Sequence, residues 1–217
     1  MKIKYFLNLL LLTAFFWSCD KKDENKSEDV AVTEAEEFKT EVEQFADIKI
    51  LRYEIPGFEA LTLKEKKLVY YLSQAGLAGR DIMWDQNYRY NLPIRNALEN
   101  IYTAYKGDKS TEDWKNFEVY LKRVWFANGI HHHYSTTKMK PSFSKTYLEG
   151  LLKETNTTLD AEIIDILFND KDSKKVNLSK DADIVLESAV NFYGPDVTTQ
   201  DVENFYGAKY YRKRIKQ

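Results

Sequence analysis

All three histidines of the chain lie in one run, His131-His132-His133, within a stretch of helix end and loop that spans residues 119–143. Imidazole nitrogens are common zinc ligands, and a zinc site needs three or four ligands converging at roughly 2.0–2.3 Å. Alternate residues of an extended strand share a face, so His131 and His133 could point together while His132 could not. Two ligands are too few for a closed site. The competing interpretation, which this count favours, is a loop at a helix C-terminus where imidazoles meet bare carbonyls.

The same stretch forms a loop that is dense in hydrogen-bond donors and acceptors. Its candidate peptide-contacting residues are Asn128, Gly129, His131, His133 and Tyr134. Loops carried on a rigid scaffold often hold binding residues, and a loop of this density can hold a peptide backbone. The alternative is that these groups hydrogen-bond one another, because backbone donors and acceptors need partners wherever water is excluded.

Other catalytic motifs are absent from the sequence. A His-Glu-x-x-His helix needs a histidine followed by glutamate, whereas the histidines here are followed by His, His and Tyr, and no G-x-S-x-G elbow or P-loop occurs. Glu162 and Asp165 have helical spacing, which predicts a solvated face, with an acid/base carboxylate pair as the alternative. Trp84, Tyr88 and Tyr90 predict core packing, with a sugar-stacking platform as the alternative.

Composition limits the class of protein. The chain has 217 residues, a net charge of −2 and 43% apolar residues, which suits one globular domain. Only 8 glycines and 4 prolines occur, which favours helices over a turn-rich β-sandwich. The near-neutral charge gives no electrostatic basis for binding nucleic acid.

The N-terminus has the pattern of an export signal. Lys2 and Lys4 precede an apolar run that ends before Cys19, and the run is shorter than the roughly 20 apolar residues of a membrane span. Residues 1–18 are therefore predicted to be a signal peptide. A small residue, then cysteine, then a polar tail resembles a bacterial lipoprotein signal, which predicts lipidation at Cys19 and anchoring to a membrane of the bacterial cell envelope. The alternative is an ordinary signal peptide with an incidental cysteine. Residues 19–37 are predicted to be a flexible acidic tether.

From residue 38 onward, apolar residues recur mainly at steps of three and four, which predicts a mainly α domain of six or seven helices across residues 38–217. A short strand is expected, at most, near residues 48–55, where the sequence is β-branched. The predicted helices run from Thr62 to about Trp84, Asn91 to Gly107, Ser110 to Asn128, Ser144 to about Lys153, Thr158 to Phe168, Ser179 to Phe192, and onward from Thr198 or Thr199.

Several blocks of the sequence, taken together, resemble one known family. The longest is residues 120–134, YLKRVWFANGIHHHY, followed by the spacing Lys138-x-x-Pro141-x-Phe143. The shorter blocks are residues 45–48 (FADI), 56–59 (PGFE), 68–72 (LVYYL), 79–82 (GRDI) and 85–87 (DQN). The series resembles the N-terminal part of bacterial dipeptidyl peptidase III, and the resemblance covers residues 45–206.

The resemblance implies a zinc-dependent exopeptidase that removes dipeptides from the N-termini of peptides. Members of this family have two lobes with a cleft between them, and an H-E-x-x-G-H motif with a downstream glutamate holds zinc in the mostly helical upper lobe. This sequence lacks that motif. No catalytic or metal-binding residue is therefore carried over, and residues 38–217 are similar to part of the lower lobe.

The basic run of residues 209–217 departs from the family pattern. We interpret the departure as the product of an early stop or frameshift, so that the chain would be an N-terminal fragment that lacks a C-terminal half and is inactive alone. The alternative is a short, non-catalytic surface lipoprotein that binds peptide or another ligand. A third hypothesis, an independent zinc enzyme that uses His131 and His133, requires stoichiometric metal.

Overall fold

A computed structural model describes residues 38–214, with side chains as far as residue 207. Its regular elements are the strands β1 (Glu41–Phe45) and β2 (Ile48–Leu51), a 3₁₀ turn (Phe58–Ala60) and the helices α1 (Leu63–Ala78), α2 (Arg80–Asn87), α3 (Asn91–Ala104), α4 (Glu112–Ala127), α5 (Lys145–Glu154), α6 (Ala161–Phe168) and α7 (Thr199–Arg214). The predicted mainly α fold is confirmed. The predicted signal peptide, Cys19 and the tether lie outside the described residues. Within the described part, no helix is both long and apolar enough to cross a membrane.

Local side-chain caps explain where the helices begin. Thr62 and Glu65 form a capping box at α1, whose start at Thr62 was predicted. The Ser144 hydroxyl accepts from the backbone N–H of Tyr147 at α5, also as predicted. At α4 the cap is Thr111 and not Ser110. Both the backbone N–H and the hydroxyl of Ser110 instead donate to the Asp108 carboxylate, which leaves the next hydroxyl to cap the helix.

Two predicted helices differ from the structure. The single helix predicted from Thr62 to Trp84 is divided at Gly79, where α1 ends and α2 begins. The helix predicted from Ser179 does not form. In its place the carboxylate of Asp183 accepts from the backbone N–H of Leu186 at 3.0 Å and from the hydroxyl of Thr199 at 2.7 Å. These hydrogen bonds lower the pKa of Asp183 to about 2, the Leu186 bond having the largest effect.

The predicted strand near residue 48 has a partner that the sequence analysis did not identify. β2 pairs with β1 in an antiparallel hairpin, whose two-residue turn places Ala46 at φ 49°. Hairpin turns of this type usually contain glycine or asparagine, which explains why no turn was recognised. Two ion pairs join the hairpin to α4, Lys122 with Glu43 and Arg123 with Asp47, both at 2.5 Å.

The hydrophobic core is formed by α3, α4, α5 and α6. Aromatic rings contribute to this core, where Trp114 packs on Phe117 with 5.2 Å between ring centroids. The recurrence of apolar residues at steps of three and four predicted the buried faces of α3, α4 and α6, although Trp125 of the predicted α4 face is 36% exposed. The core side chains of these helices include Ile94, Leu98, Ile101, Trp114, Phe117, Leu121, Val124, Leu148, Leu151, Ile163, Ile166 and Leu167.

Helix α1 contrasts with this core, because no residue of this fully described helix is buried. Its large apolar side chains are between 46% and 69% exposed. They occur on every side of the helix, since residues 68–72 are five consecutive apolar or aromatic residues. A helix that is apolar all round is typical of one that is enclosed on several sides.

Candidate functional site

The loop that carries the candidate residues begins at the C-terminus of α4. Asn128 ends the helix with a left-handed backbone at φ 51°, as the predicted Asn-Gly stop requires. The carbonyl of Asn128 accepts from the side-chain amide of Asn87 at 3.1 Å. Gly129 follows at φ 148°, and a Cβ there would collide with the amide of Asn91. The tight approach and the unusual φ together explain why glycine occupies this position.

Asn91, at the start of α3, fixes the other side of this turn. Its side chain is fully buried, donates to the carbonyl of Trp84 at 3.0 Å and accepts from the backbone N–H of Ile130 at 3.1 Å. A single amide therefore connects the end of α2, the start of α3 and Ile130 of the loop. Leaving these buried groups without partners would cost about 1–3 kcal/mol.

His131 lies inside the protein and not at a ligand site. Its side chain is 2% exposed, and its Nε2 lies 2.7 Å from the backbone carbonyl of Asp172. Because a carbonyl can only accept, Nε2 carries the proton and Nδ1 is bare, with no hydrogen-bond partner among the described residues. Burial lowers the pKa of His131, and the nearby charges of Lys138 and Lys175 lower it further, against the raising effect of Asp172. The imidazole is thus held in its neutral form.

Tyr88 and Asp172 complete the packing around this imidazole. The Tyr88 ring meets His131 edge to face at 5.3 Å, and its hydroxyl donates to the Asp172 carboxylate at 2.6 Å. Burial and this bond raise the pKa of Tyr88, so the phenol stays protonated. Asp172 has φ 51°, a left-handed conformation that aspartate tolerates better than most residues. One residue of the loop after α6 therefore binds both rings.

Lys138 has a structural role on the returning side of the loop. It forms an isolated antiparallel bridge with His131 and is 6% exposed. Its ammonium donates to the carbonyl of Ile166 at 2.7 Å and to that of Lys171. A cation at the C-terminus of α6 complements the helix dipole and its unpaired carbonyls. Burial lowers the pKa of Lys138.

The other two histidines lie at the surface. His132 Nδ1 accepts from the backbone N–H groups of Tyr134 at 3.2 Å and Ser135 at 3.1 Å, which closes the turn. The His133 ring contacts Phe126 at 4.8 Å and Tyr134 at 4.3 Å. Tyr134 is 84% exposed. We call Phe126, His132, His133 and Tyr134 the exposed ring cluster.

The structure thus separates the five candidate peptide-contacting residues into two groups. Gly129 and His131 are buried and shape the loop from within, whereas Asn128 and His133 are half-buried and Tyr134 is exposed. The three histidines do not converge. Within the described range, no group of three or more His, Cys, Asp and Glu side chains could hold a metal ion. These residues therefore do not fit a zinc site.

The remaining sequence candidates also have defined places. The carboxylate of Asp165 pairs with Lys145 at 2.6 Å, and Glu162 lies beside it on an exposed face, as the spacing predicts. Trp84 and Tyr88 are 2% and 0% exposed, so they belong to the core and do not form a sugar platform.

Sequence reasoning did not single out Asn91, Asp172 or Lys138 as determinants of the loop. The available signals were weak ones. Asn91 was recognised only as a helix start, and Lys138 only as part of the Lys-x-x-Pro spacing. Asp172 contacts His131 across 41 residues of sequence, and no local pattern indicates that contact.

Comparison with known proteins adds no family to this description. No protein-family model matches the chain, and no curated protein matches it.

Proposed function

We propose that this chain supplies part of the lower lobe of a zinc-dependent dipeptidyl peptidase of the dipeptidyl peptidase III type, anchored to the bacterial cell envelope through Cys19. The zinc motif and the catalytic groups would come from residues that this sequence does not contain. The observation that carries the proposal is the block of residues 120–134. On this proposal the chain alone releases no dipeptides, and its own contribution is to hold peptide and to support the second lobe.

The internal bonds of the loop support treating that block as one functional unit. Its residues are tied to distant parts of the chain: Asn128 to Asn87, Ile130 to Asn91, and His131 to Asp172. This support fixes the backbone while His133 and Tyr134 remain at the surface. A rigid loop that carries exposed rings is suited to contact an extended peptide.

The exposed face of α1 gives a second line of support. A large apolar surface on a soluble protein is typical of an interaction site, and α1 carries exposed side chains such as Leu68, Tyr71 and Leu72. The same residues belong to the LVYYL block that contributes to the resemblance. A second lobe or a further segment that covers this face would remove apolar area from water, which is favourable.

The test begins with the nucleotide sequence that follows the codon of Gln217, read in all three frames. An open frame that encodes H-E-x-x-G-H is expected. That downstream polypeptide is then expressed separately and mixed with the full chain, and release of arylamine from a dipeptidyl-arylamide is measured in the presence of zinc. Each polypeptide alone is expected to be inactive, and the mixture active. Unrelated downstream sequence, or an inactive mixture, would contradict the proposal.

A matched pair of variants tests the role of α1 in the same assay. Leu72→Lys places a charge on the exposed apolar face of α1 and is expected to abolish the activity of the mixture. Leu178→Lys makes the same change at a position that is 77% exposed outside α1 and is expected to have no effect. Equal activity of both mixtures would show that α1 does not support the second lobe.

The second candidate function is that of a non-catalytic surface lipoprotein that binds peptide. The observation that favours it is the closed core of α3 to α6, which buries its apolar residues without help from α1. The full chain would then unfold in one cooperative transition and bind peptide with no second polypeptide present. Aggregation of the purified full chain would favour the peptidase proposal instead, because uncovered apolar surface promotes association.

A further inference from the structure

Three Asn-x-Ser/Thr triplets occur in the sequence, and they begin at Asn25, Asn156 and Asn177. The asparagine of such a triplet is the acceptor of N-linked glycans in proteins that are exported across a membrane. Export is predicted for this chain from residues 1–18, so the chain meets that condition. Asn25 lies outside the described residues, and the structure therefore compares Asn156 with Asn177.

The residue two positions before each asparagine separates the triplets further. It is acidic for the first two, Asp23 and Glu154, and basic for the third, Lys175. Bacterial oligosaccharyltransferases commonly require an acidic residue at this position in addition to the triplet. Within the described part of the chain, the triplet that follows Glu154 meets this stricter requirement and the triplet that follows Lys175 does not.

Asn156 lies in the turn that follows α5, and its side chain is free. The residue is exposed and has a left-handed backbone at φ 51°, which asparagine adopts more readily than most residues. Its backbone N–H donates to the carbonyl of Lys153 at 3.3 Å. The side-chain amide of Asn156 makes no hydrogen bond to any described residue. The nitrogen that would receive a glycan is therefore accessible from solvent.

The threonines around Asn156 alternate between the protein and the solvent. Thr155 and Thr157 are half-buried, and their hydroxyls lie 2.9 Å apart, with that of Thr155 also donating to the carbonyl of Leu151 at 2.7 Å. Thr158, the third residue of the triplet, is exposed, and its hydroxyl makes no hydrogen bond to a described residue. The two side chains that a transferase must recognise, those of Asn156 and Thr158, are thus both on the exposed side of the turn.

Asn177 is held by the protein and contrasts with Asn156. Its side chain is half-buried, and its amide oxygen accepts from the backbone N–H of Ser179 at 3.2 Å. The amide nitrogen donates to the carboxylate of Glu187 at 3.4 Å, and the backbone N–H of Asn177 donates to the hydroxyl of Ser188 at 2.9 Å. Both ends of this amide are already bonded, so the structure favours modification at Asn156.

We propose that Asn156 is an N-glycosylation site that takes its glycan from a polyprenyl-diphosphate-linked oligosaccharide. In the transfer, Nδ2 of Asn156 forms a bond to the anomeric carbon of the first sugar, and the bond from that carbon to the diphosphate oxygen breaks. Polyprenyl diphosphate leaves with the electron pair of the broken bond, and the amide nitrogen loses one proton to a base. Nothing is oxidised or reduced. The proposal rests on the export that the proposed function includes, and not on peptidase activity.

The test is the intact mass of the full chain, produced with its own N-terminus in a bacterial host that supplies an N-oligosaccharyltransferase and its lipid-linked oligosaccharide. All variants carry Asn25→Gln, so that only the two described triplets are counted. The chain is expected to gain the mass of one oligosaccharide. Asn156→Gln is expected to lose this mass, and Asn177→Gln, the matched control, is expected to keep it. Loss in Asn177→Gln and not in Asn156→Gln would overturn the proposal.

Two further variants keep Asn156 itself and test recognition of the triplet. Thr158→Ala removes an exposed hydroxyl that bonds to no described residue, so the fold is unaffected, and it is expected to abolish the added mass. Thr158→Ser restores a hydroxyl and is expected to keep the added mass. An unchanged added mass in Thr158→Ala would contradict attachment through this triplet.

A second preparation separates failure of the site from failure of export. The purified full chain is mixed with membranes that contain the transferase and the oligosaccharide donor, so that its own signal is not needed. Addition at Asn156 in this mixture but not in the cell would support the site and contradict the predicted export. No addition in either preparation would overturn the proposal.

Discussion

Helices α1 and α4 have the same length and different surroundings. Each has 16 residues and begins with a threonine cap. Helix α4 buries six residues, whereas α1 buries none. Local capping therefore accounts for the existence and the start of both helices, while only α4 has a face that the rest of the described chain covers. The comparison separates what local sequence specifies from what packing specifies.

The apolar pattern explains the difference. In α4 the buried side chains recur at three- and four-residue steps, so they form one stripe. In α1 five consecutive residues, 68–72, are apolar or aromatic, so no single stripe exists. A helix of the first kind buries all its apolar side chains by packing against one neighbouring layer. A helix of the second kind buries its apolar side chains only with neighbours on several sides.

The largest expected effect comes from comparing a leucine of the packed core with a leucine of α1. Leu98 of α3 is 0% exposed and Leu72 of α1 is 63% exposed. Leu98→Ala is expected to reduce the free energy of unfolding by about 2–5 kcal/mol, because it removes buried methyl groups and leaves a cavity. Leu72→Ala is expected to change it by less than about 0.5 kcal/mol. Urea denaturation of the full-length variants measures both.

A large loss of stability in Leu72→Ala would contradict the contrast between an exposed α1 and a packed core. It would mean that α1 is covered in solution, either by a second copy of the chain or by residues outside the described range. Measuring the midpoint at several protein concentrations separates these two cases, because only association with another copy makes stability depend on concentration.

The second prediction concerns the polar centre of the packed region. Asn91→Ala leaves the carbonyl of Trp84 and the N–H of Ile130 without partners, and is expected to cost about 1–3 kcal/mol. Asn96→Ala, at an exposed position of the same helix, is the matched control and is expected to cost far less. Equal losses in the two variants would show that the buried bonds of Asn91 do not determine the effect.

The third prediction uses pH, and its sign follows from burial. The pKa of His131 is lowered in the folded protein, so the unfolded chain binds the proton more tightly. Stability from this residue is therefore complete above the ordinary imidazole pKa of 6.5 and is lost as the pH falls below it. Glutamine keeps a donor for the Asp172 carbonyl but does not titrate. His131→Gln is therefore expected to reduce the loss of stability that the wild-type protein shows as the pH falls. The loss of stability is measured as the urea midpoint at intervals from about pH 8 to 5.5. The lowered pKa of His131 sets this pH range.

His133→Gln is the control for this measurement. The pKa of His133 is also lowered, by partial burial and by His132, but its ring lies at the surface. His133→Gln is therefore expected to keep most of the loss of stability that the wild-type protein shows as the pH falls. If stability became less dependent on pH in His133→Gln but not in His131→Gln, the conclusion that His131 is buried in its neutral form would be contradicted.

Sequence reasoning located the helices wherever the determining contacts are local. Thr62, Asn91 and Ser144 lie at or beside helix starts, as predicted, because a cap involves only the residues of one turn. The segment predicted to be a helix from Ser179 instead connects to a distant part of the chain, where Asp183 accepts from Thr199, sixteen residues further on. No pattern of neighbouring residues reveals that bond.

The same limit applies to the candidate site. Alternation along a strand predicts a shared side for His131 and His133, but the structure buries the first and leaves the second half-buried at the surface. The bond from His131 to Asp172 and the bridge to Lys138 decide this orientation, and both join segments that are separate in sequence. Sequence identified the loop, and tertiary contacts determine which of its rings face outward.

The smallest expected effect on stability is at the outermost ring of that loop. Tyr134 is 84% exposed, so Tyr134→Ala is expected to change the free energy of unfolding by less than about 0.5 kcal/mol. Its effect on binding is expected to be larger, a loss of about two- to tenfold for an unblocked tetra-alanine peptide measured by calorimetry, because an aromatic ring that packs on a ligand contributes about 0.5–1.5 kcal/mol. Tyr53→Ala, at a position that is 75% exposed, is the control. If both variants bind the peptide equally well, the exposed ring cluster is not its site, and the buried half of the loop serves the fold alone.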